Sequence, residues 1–461
     1  MPDFVIRGGT VVLSGGSARA DVAIEDGRIA EIGPELAGAS HEFDAKGLFV
    51  LPGVIDVHVH FNEPGRAHWE GAATGSRALA AGGGTLFFDM PLNSTPCCVT
   101  AREMDRKRLA LEAASITDFG LWGGLVPGAV SEMADMAGRG VVGFKAFMCD
   151  SGLPEFPRAD DETLRDGMAE AARLHLPVAV HAESQDKVRL KADPTNHLKA
   201  DSTNHRWGPA LAGTSVRDFL ESRPVVAETE AIGRALELAR ETGASLHIVH
   251  VSTGRGVLLA AEARARGVDV SIETCPHYLW FTEADVERLG TIAKCAPPLR
   301  SAEHHEALWK ALIAGHVDIV GSDHSPTEPS MKAGDFVNAW GGIAGVQSTV
   351  PVLLDRGYHD RRLPLERIAD LVAANPARRF RIARKGTIGR GNDADLVLID
   401  AASSFTLGEE HLQQRHKTSP YVGETFRGVV RATLRRGEMI FKDGHVTAQT
   451  CGRFVRPEPV R

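Results

Sequence analysis

Val54-Ile55-Asp56-Val57-His58-Val59-His60 alternates apolar and polar side chains with period two, the pattern of a β-strand whose faces differ. Ile55, Val57 and Val59 fall on one face; Asp56, His58 and His60 fall on the other. Pro52-Gly53 punctuates the start of the strand. Two imidazoles on one face of one strand can reach a single point in space, as a metal ion requires. An isolated H-x-H is read equally well as two ordinary hydrogen-bonded strand histidines. The rest of the chain has to decide between the two.

Downstream, strand-like apolar runs recur at Thr85–Met90, Phe119–Trp122, Val142–Met148, Pro177–His181, Leu246–His250, Val268–Glu273 and Asp318–Asp323. With the first they make eight, separated by helix-like stretches such as Glu162–Leu174 and Glu228–Glu241. Alternating β and α implies a parallel sheet, and eight units imply a closed (β/α)8 barrel. An open doubly wound sheet is the other arrangement the pattern allows. Before residue 50 the chain reads as short strands, Phe4–Ile6, Thr10–Val12, Asp21–Ile24 and Ile29–Ile32, with Asp26-Gly27 as a hairpin turn. Strand character returns after Asn375, at Ala394–Ile399, Val429–Leu434 and Glu438–Phe441. The expected α/β architecture is therefore a TIM barrel over residues 52–378, with a small β-sandwich formed by both chain ends, 1–51 and 379–461.

The 461 residues include 24% charged and 43% hydrophobic side chains and carry a net charge of -8, ordinary for a globular protein. No basic cluster points to nucleic acid or to a membrane surface. No apolar run approaches the length of about 18 residues that a spanning helix needs. The first ten residues carry Asp3 and Arg7 without a secretory apolar run. Six cysteines without C-x-x-C indicate neither a disulfide framework nor a structural zinc finger. A cytoplasmic location is the expectation.

In a barrel of this type the site lies at the C-terminal ends of the strands. His60 ends the first strand, His181 the fifth, His250 the sixth and Asp323 the eighth; Lys145 lies in the fourth. Any one alone, His181 for instance, reads as a satisfied core residue. Five strands delivering such groups to one end do not. Four imidazoles and a carboxylate suit zinc. They exceed the three protein ligands of one catalytic zinc, so two ions about 3.5–4 Å apart fit better. A bridging ligand is then needed, and in the fourth strand only Lys145 is available. Its ammonium would be repelled by two dications, whereas the carbamate formed with carbon dioxide is an anionic two-oxygen ligand. The residues alone leave open a plain ion pair between Lys145 and Asp150.

Asp56-Val57-His58-Val59-His60, Glu63-Pro64-Gly65, Gly82-Gly83-Gly84-Thr85, Lys145-Ala146-Phe147-Met148, His181-Ala182-Glu183, His250-Val251-Ser252 and Ser322-Asp323-His324-Ser325-Pro326 together resemble the cyclic amidohydrolases. That family comprises dihydroorotases, hydantoinases, dihydropyrimidinases and allantoinases. The resemblance spans nearly the whole chain, with the motifs in family order. It implies a barrel with a flanking β-sandwich and a binuclear centre bridged by carboxylated Lys145. His58, His60 and Asp323 would bind one metal, and His181 and His250 the other. Asp323 would also be the catalytic proton carrier. Zinc is the expected ion, with cobalt, manganese, nickel or iron compatible with the same donors. A homotetramer, or a dimer, is implied as well.

Three features bear on the substrate. Asn62 stands where dihydroorotases carry an Arg for the substrate carboxylate, so a carboxylated ring loses its charge partner. Asp150, followed by Ser151, stands where hydantoinases carry a Tyr, and this polar pair would suit a substrate with a hydrogen-bonding substituent. Asn62–Gly71 and Met90–Asn93 resemble the allantoinase branch, which implies ring-opening hydrolysis of allantoin, a small cyclic ureide, to allantoate. Asn93 is read as a substrate contact or as a loop cap. Gly341-Gly342 is read as a close approach to a planar ring or as a plain turn. The segment Cys295-Ala296-Pro297-Pro298 resembles the family stretch that reads the imide edge, with Ala296 as the contact. The competing readings are a hydantoinase or dihydropyrimidinase and a non-catalytic scaffold relative.

Overall fold

The computed structural model describes residues 2–188, 215–450 and 452–460. Eight parallel strands follow one another in sequence order around a barrel: Val54–Val59, Gly84–Asp89, Asp118–Gly124, Gly143–Phe147, Val178–His181, Leu246–Ile248, Val270–Thr274 and Ile319–Val320. The eighth is the shortest, yet the ring closes through its extension. Val59 and His324 form a parallel bridge, His60 N donates to His324 O at 2.8 Å, and Ser322 N donates to Asp56 Oδ1 at 3.0 Å. This is the expected (β/α)8 barrel.

Every residue of Val54–Val59 is buried. The alternation does not separate a wet face from a dry one, because parallel strands are covered on both sides, and a register irregularity between Asp56 and Val59 leaves Ile55 and Val57 in one apolar cluster and Val59 in another. One apolar cluster joins Ile55, Phe88, Trp122, Ala179 and Ile319 from five strands to Phe380 and Ile382, filling the barrel interior. The surrounding helices start at side-chain caps: Thr100 accepts from Glu103 N, Asp160 from Thr163 N, and Thr253 from Gly256 N, each satisfying a donor that the first turn leaves open. Among the described residues, no helix is long and apolar enough to cross a membrane.

Both chain ends contribute to one nine-stranded mixed sheet. Phe49–Pro52 pairs antiparallel with Leu396–Thr406, Val50 opposite Leu398, and so joins the N-terminal strands to the C-terminal ones. The expected sandwich is thus a single sheet curled on itself over a shared core that includes Val22, Ile24, Val50, Leu398 and Leu434. The Asp26-Gly27 turn, with φ 50° and 74°, has the left-handed geometry of a tight hairpin. A Cβ on Gly27 would stand 2.9 Å from Arg436 O, so two hairpin tips meet there. The last segment returns to the barrel, where Val455 N donates to Phe119 O at 2.8 Å.

Candidate active site

The barrel brings His58, His60, His181, His250 and Asp323 to one pocket, lined also by Leu92, Asn93, Phe147, Cys295, Ala296, Ser325 and Gly341-Gly342. His58 Nε2 lies 3.3 Å and His60 Nε2 3.4 Å from Asp323 Oδ1. The ligand atoms of these three residues all lie within 4.8 Å of one another. The ring centroids of His58 and His250 are 5.4 Å apart, and those of His181 and His250 are 4.6 Å apart. The imidazoles thus form a continuous group across the strand ends.

Lys145 is fully buried in the fourth strand. Its Nζ has no hydrogen-bond partner among the described residues and lies 4.9 Å from the Phe147 ring. Asp150 does not pair with it; the Asp150 carboxylate accepts from Gly152 N at 3.0 Å. Burial pulls the Lys145 amine down from 10.5 to about 8, against the nearby Asp323 charge. An unpartnered buried amine, held partly neutral beside imidazoles and a carboxylate, has the chemistry a carbamate bridge needs. The donor set fits a pair of divalent cations.

The remaining charges reinforce that fit. Burial works against the ionised Asp323, but the neighbouring His58 and His60 outweigh it and hold its carboxyl far below the usual range. Burial, followed by the surrounding cationic groups, lowers His250 well below an ordinary histidine, and burial lowers His181 and His60 too. Neutral imidazoles are the form that binds metal. His250 and Asp323 adopt φ of 41° and 45°, and Asn62 and Asn93 adopt 63° and 69°.

Four further residues hold the donors in place without having been singled out in the sequence. Glu273 accepts from His58 Nδ1 at 2.8 Å and from His247 Nε2 at 2.9 Å. Glu183 bonds His181 Nε2 at 2.8 Å, leaving Nδ1 as the nitrogen for the site, and forms a buried ion pair with Arg223. Carboxylates behind ligand histidines fix the tautomer and ring angle. The signal was present: Glu183 stands two residues past His181 and so shares its face, and Glu273 ends its strand run as the ligands do.

Of the expected substrate contacts, Asn93, Ala296 and Gly341 line the pocket. Asn62, Asp150 and Ser151 do not. Asn62 Nδ2 donates to Pro326 O at 3.3 Å, and Ser151 Oγ donates to Phe156 O at 2.6 Å. Ser151 thus serves its own loop, whereas Asn62 bridges to the loop after the eighth strand and its Oδ1 has no hydrogen-bond partner among the described residues. Gly342 is held close to its neighbour: at φ 142°, a Cβ there would lie 2.4 Å from Ser325 O.

Imidazoles, a carboxylate and a buried lysine at the strand ends of a (β/α)8 barrel form the donor set of a metallohydrolase barrel. The chain belongs to the amidohydrolase family, whose model matches residues 49–440. It is 59% identical over 459 residues to an allantoinase from Solibacter usitatus, covering 99% of this chain and 98% of that one. It is 57% identical to an allantoinase from Rubrobacter xylanophilus, again over 99% and 98%. Among solved structures it resembles the L-hydantoinase (dihydropyrimidinase) from Arthrobacter aurescens, with TM-score 0.91, 33% identity, and coverage of 99% and 100%.

Proposed function

We infer that this chain is an allantoinase, opening the ring of allantoin by hydrolysis to give allantoate. The observation that carries the reading is the convergence of His58, His60, His181, His250 and Asp323 on one pocket, with the buried Lys145 near enough to interact electrostatically with Asp323, His181 and His250, in a chain akin to allantoinases along its length. His58, His60 and Asp323 would hold one divalent cation and His181 and His250 a second, with carboxylated Lys145 between them. Zinc suits the donors best, and cobalt, manganese, nickel or iron are compatible. Such ions, when bound, polarise a carbonyl and lower the pKa of water.

The protein's own groups do the rest. Asp323, whose side chain is 14% exposed, is reachable from the pocket and takes the proton of the attacking water. It then returns that proton to the departing ring nitrogen. The backbone at Ala296 and Gly341 offers hydrogen-bonding edges to a planar ring, and Asn93 offers an amide to the ureido substituent. Asn62, Asp150 and Ser151 act on loop shape and not on the substrate. We also propose a cytoplasmic homotetramer, by family resemblance, which light scattering on the purified protein checks.

Hydrolysis rates for allantoin, hydantoin and dihydrouracil on one metal-replete sample test the reading. Allantoin is expected to give the highest kcat/KM. The likeness to hydantoinase structures favours a second reading, and turnover of hydantoin or dihydrouracil without allantoin would establish it instead.

A further inference from the structure

At the opposite end of the barrel from the imidazoles, the N-terminal strand ends meet the small β-domain and the last described segment. A cavity of about 340 Å³ lies there, walled by the hairpin turn 26–28, Asp118 at the start of the third strand, residues 382–385 and residues 453–456. Its inner charges are mutually neutralised. Lys385 Nζ lies 3.0 Å from Asp118 and 3.1 Å from Asp393 and also pairs with Asp395. Arg436 pairs with Asp118, and Arg384 with Asp393 at 3.2 Å.

The rim is not neutralised. Arg28, Arg453 and Arg456 line the same cavity and are exposed. No carboxylate pairs with them among the described residues, and Asp26 is the one other acidic side chain in the lining. Their backbone is fixed. Phe119 N donates to Arg453 O at 3.0 Å, and Arg453 N donates to Asp118 Oδ1 at 3.0 Å. Arg456 lies over the Phe454 ring at 5.4 Å, which covers one guanidinium face and leaves its N–H edge free. Excess guanidinium groups on an anchored backbone around a concave space suit oxyanions, because the planar fork matches paired oxygens.

We propose that this cavity binds a small multivalent oxyanion of the phosphate or polycarboxylate class, held by Arg28, Arg453 and Arg456. Such a ligand ties the hairpin turn and the last segment to the barrel without touching the imidazole pocket. It therefore stabilises the fold and leaves the chemistry alone.

Calorimetric titration and thermal melting with inorganic pyrophosphate, and separately with citrate, at constant ionic strength test this. The expected result is saturable binding of about one anion per chain, with Kd below about 1 mM and a rise in Tm. An Arg28→Gln/Arg453→Gln double variant binds at least about tenfold more weakly, with allantoin hydrolysis unchanged. Arg456→Gln alone serves as a second, milder variant with a smaller loss. A preference for pyrophosphate assigns the phosphate class, and a preference for citrate the carboxylate class. Binding no stronger than that of chloride, or binding equal in wild type and in both variants, overturns the proposal.

Discussion

Glu273 Oε1 lies 2.8 Å from Nδ1 of His58 and so turns the opposite ring nitrogen toward Asp323. Its second oxygen is held by His247, whose ring stacks on Trp122 at a 9° interplanar angle. One carboxylate thus anchors a donor histidine to the rigid barrel interior. Glu273→Gln is expected to weaken metal retention about 10–100-fold while the far-ultraviolet circular dichroism stays as in wild type. Chelator competition on the dialysed protein reads this. Unchanged metal affinity would show that His58 needs no such anchor.

Arg223 plays the corresponding part for His181 through Glu183. Burial alone would push Glu183 up, but Arg223 and His181 hold it at about 2. Arg223→Met leaves a buried carboxylate with its main partner gone, a change that costs about 3–5 kcal/mol. A lower midpoint in urea unfolding is the expected outcome, together with reduced hydrolysis. A variant as stable as wild type would mean that Glu183 is solvated in ways the ion pair does not describe.

Lys145→Ala removes the bridging group but keeps every imidazole. Metal content measured by mass spectrometry is expected to fall below two ions per chain, as expected for a binuclear centre, and kcat to fall with it. Lys145→Arg is expected to fail as well, since a guanidinium stays cationic and forms no carbamate. Full activity in either variant would remove Lys145 from the centre.

Gly342→Ala places a methyl 2.4 Å from Ser325 O at a φ of 142°. The segment 341–342 must then shift where it lines the pocket. A higher KM for the ring substrate is expected, along with a cost of about 1–3 kcal/mol in stability. Substrate saturation curves and melting temperature, measured together, check it. A normal KM would separate this glycine from ring binding.

Behind that glycine, Lys332 Nζ donates to Gly342 O at 2.7 Å and to Thr291 O at 3.1 Å. Burial, followed by repulsion from Lys294, lowers Lys332 from 10.5 to about 7. Between pH 7 and 10.5 the unfolded lysine keeps a proton that the folded one has lost. Stability therefore rises with pH through that window, by up to about 1.4 kcal/mol per unit for one full proton. The advantage of wild type over Lys332→Met is expected to widen from pH 7 to pH 10 in urea melts. A gap that does not change with pH would contradict the lowered value.

Much of this was legible from the chain. Apolar runs such as Leu246–His250 mark buried parallel strands because both faces are covered, and their final residues fall where a barrel places its site. Boundaries were less legible. The run Asp318–Asp323 holds only Ile319–Val320 as regular strand, since the chain leaves the ladder to aim Asp323 and to bridge His324. Loop residues were least legible. Asp150 and Ser151 are polar and close in sequence to Lys145, but their groups are consumed by a tight turn, and spacing along a chain does not say which way a turn faces. Glu273 ends its strand run as the ligands do, but its pairing with His58 Nδ1 and not with a metal is a fact of three-dimensional packing.

The most direct measurement is a zinc titration of the chelated, bicarbonate-supplied protein, following allantoin hydrolysis against equivalents added. Activity should climb to a break at two zinc ions per chain and stay flat beyond it. Hydrolysis that is complete in the metal-free protein, or that breaks at a single equivalent, would contradict a paired centre built on Lys145.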